Sequence, residues 1–235
     1  MGALRPRLPV VIDGFVLAGG ASTRMGVDKA RAPWRDRPLA VAVAEGLRAV
    51  CGRVALVRRG DDGLPWAWMD GAPLEVLLEP EAPDRHPLWG VAHALRSAST
   101  PLVAVVPCDL PGLDAETWER LVAEAPAVAS DGERIHPLVA VIPRSWADRA
   151  ASLAADGAGA RALVSACTEV VVPRGALVDR NRPEDLGRGP IARLRSRLPR
   201  LPATVVARIL DGERERLRAR GILDPDPTPG LSSRP

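Results

Sequence analysis

Short runs of β-branched and other apolar residues, each stopped by proline, glycine or a charged residue, alternate along this chain with longer segments rich in Ala, Leu and Arg. Runs of this length suit strands, and the segments between them are long enough to carry the chain back over a sheet as a helical crossover. The pattern predicts an α/β fold of three layers, a mainly parallel sheet with helices on both faces. Strands are expected at Val10–Leu17, Val54–Arg58, Leu74–Glu79, Leu102–Val106, Leu138–Ile142 and Glu169–Val172. Helices are expected at Pro38–Val50, Leu88–Ser97, Ala115–Glu124, Trp146–Ala154 and Gly159–Ala166, with Asp114 and Ser145 as N-caps of the third and fourth. No repeat of fixed period interrupts this alternation, which sets aside solenoids and propellers.

The chain has 235 residues, enough for one α/β domain and an appended tail. Its longest apolar runs, such as Leu102–Val106, end far short of the ~20 residues that cross a bilayer, so no membrane span is expected. Arg5 and Arg7 are followed by no hydrophobic stretch and no small-residue cleavage site; a signal peptide is not expected and a cytoplasmic location is. Cys51, Cys108 and Cys167 are odd in number and widely spaced, which suits reduced, buried thiols and neither a disulfide framework nor a zinc site.

Charge divides the chain. Residues 187–235 hold 11 arginines against 5 acids, net +6, so residues 1–186 carry −3 of the overall +3. The boundary falls at Gly187-Arg188-Gly189-Pro190, a linker-like stretch. Beyond it, Val205, Val206, Ile209, Leu210 and Leu217 can share one face of a helix near 203–220, and residues from Asp224 on have a disordered composition. The tail lacks interleaved aromatics, and its acids dilute its charge; it is expected to pack on the domain or on a protein partner and not on nucleic acid.

The most informative segment follows the first strand: Val16-Leu17-Ala18-Gly19-Gly20-Ala21-Ser22-Thr23-Arg24-Met25-Gly26-Val27-Asp28-Lys29. A strand that runs into two glycines can turn tightly and present bare backbone N–H groups, which makes this a candidate phosphate cradle. It is neither a Walker A loop nor the G-x-G-x-x-G of dinucleotide folds. Arg24 and Lys29 can neutralise phosphate oxygens, the first as a planar fork and the second as a compact point charge. Of the 32 basic residues, 31 are arginine, so the sole lysine of the chain lies in this loop. A second chemical element, Cys108-Asp109-Leu110-Pro111, closes the fourth strand and puts a carboxylate at the carboxyl edge of the sheet, where open α/β folds bind ligands.

The loop resembles the Leu-Ala-Gly-Gly-x-Ser-x-Arg-Met-Gly-x-Asp-Lys signature of molybdenum cofactor guanylyltransferases, and Asp109 lies in a stretch similar to that family's Cys-Asp-x-Pro element. Pro87-Leu88-Trp89-Gly90 resembles the family's Gly-Pro-Leu-Ala-Gly, with His86 and Trp89 as departures. Asp131–Leu138 resembles the segment before a strand that faces the acceptor, and Asn181-Arg182-Pro183-Glu184-Asp185-Leu186 the closing motif. Together these cover almost all of residues 10–186. After the second strand the family often shows an asparagine, where this chain has Val57-Arg58-Arg59.

The resemblance implies a nucleotide-diphospho-sugar-transferase-like Rossmann variant that uses Mg²⁺ to transfer GMP from GTP to molybdopterin. It implies catalytic roles for Lys29, Arg24 and Asp109, with Asp109 as the metal ligand. It places Leu17, Ala18, Gly19, Gly20, Ser22, Arg24, Lys29, Glu79 and Asp109 around the nucleotide, and His136 and Asn181 near the acceptor. Glu79 stands where the family carries an aspartate, with Glu81 and Asp84 as alternatives. His86 is expected to be a surface-loop histidine, with substrate contact as the alternative, and His93 to be structural. Cytidylyl transfer, another phosphorylated acceptor, and a non-catalytic nucleotide-binding protein on the same scaffold remain competing expectations.

Overall fold

A strand covered on both faces can be apolar at every position, and the runs Val103-Ala104-Val105-Val106 and Val54-Ala55-Leu56-Val57 are buried throughout. A computed structural model of the chain describes residues 12–19, 28–35, 37–60, 66–68 and 71–180, with Pro33 by its backbone alone. In chain order the elements are β1 (Ile12–Leu17), β2 (Pro33–Trp34), β3 (Arg37–Pro38), α1 (Leu39–Leu47), β4 (Cys51–Arg58), β5 (Glu75–Leu78) and α2 (Pro87–Ser97). They continue with β6 (Leu102–Pro107), α3 (Ala115–Ala123), β7 (Ala127–Ser130), β8 (Ile135–Pro143), α4 (Ala147–Ala155), α5 (Ala160–Leu163) and β9 (Thr168–Val171).

Among the described residues the main sheet has seven strands in the order β5-β4-β1-β6-β8-β7-β9. All its strands run the same way except β8, which is antiparallel to β6 on one side and to β7 on the other. Alternate residues of each strand feed two separate cores. Val16, Leu56, Ala104, Val106 and Val141 pack against α1 and α3. Phe15, Ala55, Val57, Val103 and Val105 pack with α2, α4 and α5 on the other face. The expected three-layer α/β architecture is the observed one.

Local differences have physical reasons. Strand β7, Ala-Val-Ala-Ser, was not expected, because alanine carries little strand preference of its own; it forms because β8 and β9 flank it and all four residues are buried. Asp114 does cap α3, its carboxylate accepting from the Thr117 N–H at 2.9 Å. Ser145 does not cap α4: it sits inside a 3-10 turn, Arg144–Trp146, and α4 begins after Trp146 with no side-chain cap. The fifth helix is a single turn, shorter than the expected Gly159–Ala166. Val10, Asn181 and the whole of 187–235, with its expected linker and helix, lie outside the described residues.

Candidate active site

Six strands of common direction bring their carboxyl ends to one edge of the sheet. Gly19 follows β1, Arg59 follows β4, Glu79 follows β5, Asp109 follows β6 closely, Asp131 follows β7, and Arg174 lies just beyond β9. Backbone hydrogen bonds extend the ladder into this edge: Ala18 N–H donates to Val57 O at 2.8 Å, Cys108 N–H to Leu17 O at 3.1 Å, and Glu79 N–H to Arg58 O at 2.6 Å. Residues separated by a hundred positions in sequence thus share one rim, as an open parallel sheet dictates.

At the centre of that rim the Lys29 ammonium lies 2.6 Å from Asp109 Oδ2, with side-chain exposures of 17% and 20%. The lysine opens a 3-10 turn, Lys29–Arg31, whose N-cap is Asp28: Oδ1 accepts from Ala30 N–H at 3.0 Å, and Oδ2 is held by Arg58 at 2.7 Å. Arg58 ends β4 and stacks over Trp66 at 5.0 Å, and Arg31 covers the same indole at 4.0 Å. Of the expected cradle, Leu17, Ala18 and Gly19 lie on this rim, Leu17 bonded to Cys108 next to Asp109 and Gly19 against Glu79 and Arg59; Gly20, Ser22 and Arg24 lie outside the described residues.

Glu79 is placed differently from its two alternatives. Its carboxylate is 6% exposed, and Oε2 accepts from Arg59 Nε at 3.1 Å. Oε1 lies against the Cα atoms of Gly19 and Gly90, so close that a Cβ on Gly19 would overlap it and one on Gly90 would lie 2.9 Å away. A side chain at either point would push the Glu79 carboxylate aside. Asp84 and Glu81 are exposed. The Asp84 carboxylate accepts from His86 N–H and Trp89 Nε1–H, both at 2.9 Å, and these two donors hold it below the usual aspartate range. Glu81 lines a cavity of about 200 Å³ beside α2 with Trp89, His93 and Arg96. Arg59 staples the arrangement by donating also to the carbonyls of Asp84 and His86. His86 caps α2 through Nδ1, which accepts from Leu88 N–H. Burial pushes His93 down, so it is neutral at neutral pH.

On the β7–β8 side, Asp131 makes an Asx turn, its Oδ1 accepting from Glu133 N–H at 3.0 Å and Arg134 N–H at 2.9 Å. Those bonds, then the charges of Arg174 and His136, hold its carboxyl below the usual range. His136 Nε2 is 3.8 Å from Asp131 Oδ2 and is buried without a hydrogen-bond partner. Arg180 N–H donates to the Asp109 carbonyl at 3.0 Å, so the segment leading to Asn181 returns to the central pair. Sequence reasoning missed the roles of Asp28, Arg58, Arg59, Asp131 and Arg174. Asp28 stood in the signature loop, Asp131 in the segment before β8, and the doubled arginine in an unusual place for charge at the end of β4, but none of these signals told which contact the residue makes.

Chemically the rim offers cations for phosphate and one carboxylate for a hard cation. Among the described residues no three His, Cys, Asp or Glu side chains converge as a metal cage. That donor set fits Mg²⁺, which typically takes one or two carboxylates and completes its shell with phosphate oxygens and water. Cys108 precedes Asp109 but is no nucleophile, since burial pushes its thiol up to about 12.

Residues 14–171 match the family described as MobA-like NTP transferase domain. The molybdenum cofactor guanylyltransferase of Serratia proteamaculans is 34% identical over 172 residues, 64% of this chain and 82% of that one. A probable molybdenum cofactor guanylyltransferase of Natronomonas pharaonis is 34% identical over 192 residues, 74% of this chain and 95% of its own. Among solved structures, molybdopterin-guanine dinucleotide biosynthesis protein A of Archaeoglobus fulgidus superposes with a TM-score of 0.57 at 20% identity, covering 79% of this chain and 100% of that one. A Mycobacterium tuberculosis protein solved in complex with manganese superposes at 0.52 and 20% identity, over 71% of this chain and 90% of that one.

Proposed function

The chain belongs to the MobA-like NTP transferase family, and from that premise we propose that it transfers GMP from GTP to a molybdopterin-type acceptor, releasing pyrophosphate. The observation that carries the reading is the Lys29–Asp109 pair at 2.6 Å on the carboxyl edge of the sheet, the edge at which β1 runs into Gly19. A cation and a metal-binding carboxylate in contact are what a triphosphate and its divalent ion require at one point.

The terminal phosphate of the acceptor forms a P–O bond to the α-phosphorus of GTP while the bond to the β-phosphate breaks, and pyrophosphate leaves with the electron pair. No enzyme side chain becomes covalently attached. Gly19, with Gly20, Ser22 and Arg24 of the signature loop, receives the phosphates, and the Lys29 ammonium neutralises charge that grows on their oxygens. Asp109 would hold Mg²⁺, which supplies further neutralisation of the triphosphate. Glu79, held by Arg59 and packed against Gly19 and Gly90, orders the start of the loop that receives the nucleotide. His136 and Asn181 serve the acceptor. Positioning and charge neutralisation carry the rate.

Pyrophosphate release measured with each of the four NTPs, with and without molybdopterin and Mg²⁺, tests the proposal. Release from GTP that depends on molybdopterin is expected. Dependence on CTP instead would make the protein a cytidylyltransferase, and tight NTP binding without turnover would make it a binding protein.

A further inference from the structure

A guanidinium as buried as that of Arg58, at 8% residue exposure, is costly to desolvate unless its partners repay the loss. Two of its partners, Asp28 and Trp66, connect it to the turn that carries Lys29. Asp28 Oδ2 is 2.7 Å away, and the Trp66 ring, centred 5.0 Å from Arg58, is also stacked by Arg31, the last residue of that turn. Arg58 therefore grips the turn at its start through Asp28, and Trp66 grips its end through Arg31.

The charge arrangement sharpens the point. Asp28 is the carboxylate nearest to Lys29 in the chain and could draw its ammonium away from Asp109 and from an incoming phosphate. As observed, one Asp28 oxygen accepts from the Ala30 N–H and the other from Arg58, so the carboxylate is committed to the backbone cap. We infer that Arg58 is a positioning residue: acting through Asp28, it fixes the 3-10 turn and reserves the Lys29 ammonium for Asp109 and the triphosphate. This rests on the reading of Lys29 given above, but the placement of the lysine can be measured without it.

Because Lys29 is the only lysine, protein grown with 13C-lysine gives a single ε-methylene NMR signal, free of overlap. In the unaltered protein the two ε-protons are expected to be inequivalent, as in a held side chain. Arg58→Gln is expected to merge them near the shift of a free lysine and to lower kcat for pyrophosphate release about tenfold, with little change in KM, as loss of alignment does. Arg58→Lys keeps the charge but adds a second lysine signal, so it is read by turnover alone and is expected to retain most of it. Asp28→Asn combined with Arg58→Gln keeps a cap and removes the competing charge, so it is expected to restore the signal and most of the turnover. If Arg58→Gln does not fold, Asp28→Ala breaks the same contact and should mobilise the lysine equally. An unmoved lysine signal in either single variant, or a double variant no better than Arg58→Gln, overturns the inference. A signal that responds as described in a protein that turns over no NTP would support the positioning role and defeat the transferase reading.

Discussion

Lys29 and Asp109 are 80 positions apart, and their contact turns two motifs into one site. If that contact serves phosphate chemistry, Lys29→Ala lowers turnover about 10²- to 10³-fold, the range for losing one electrostatic donor. Near-normal turnover by that variant would remove the lysine from the mechanism. Asp109→Ala is expected to abolish the response to added Mg²⁺, and a titration of rate against the metal reads this directly. Asp114 is a control, since the family likeness gives it no role. Its Thr117 bonds hold its folded pKa below the ordinary 3.8, so the stability it adds is present above the unfolded value and disappears as pH falls through the folded one. Asp114→Ala should cost about 1 kcal/mol in urea unfolding at pH 7, with the difference shrinking in acid. Lys29 and Asp109 were legible in the sequence because their motifs are local. Arg58 and Arg59 were not, because what each holds lies on other segments: Asp28 for one, Glu79, Asp84 and His86 for the other.

At the scale of elements, six expected strands and five expected helices were found near their places, because apolar runs covered on both faces can be little else. The misses occur where tertiary context outweighs local preference. Alanine-rich β7 became a strand by being placed between two others, and Ser145 was taken into a 3-10 turn in place of a cap. The junction of β4, β5 and α2 bears on function through Gly90, whose absent Cβ leaves room for Glu79 Oε1. Gly90→Ala is expected to push that carboxylate off its Arg59-held position and raise KM for GTP about tenfold while kcat changes little, as loss of ground-state binding does. An unchanged KM would show that Glu79 does not order the nucleotide site.

For the whole molecule, the single antiparallel strand β8 leaves all other carboxyl ends on one rim, and every described residue to which the family likeness gives a role lies at or beside that rim. The tail of net +6 carries none of these residues. A chain ending at Leu186 is therefore expected to retain GTP turnover, and its loss would assign residues 187–235 to the machinery. In a crystal grown with GTP and Mg²⁺, a nucleoside triphosphate is expected along the turn after β1, its phosphates against Gly19 and Lys29 and the ion on Asp109; nucleotide bound in any other cleft would contradict the assignment.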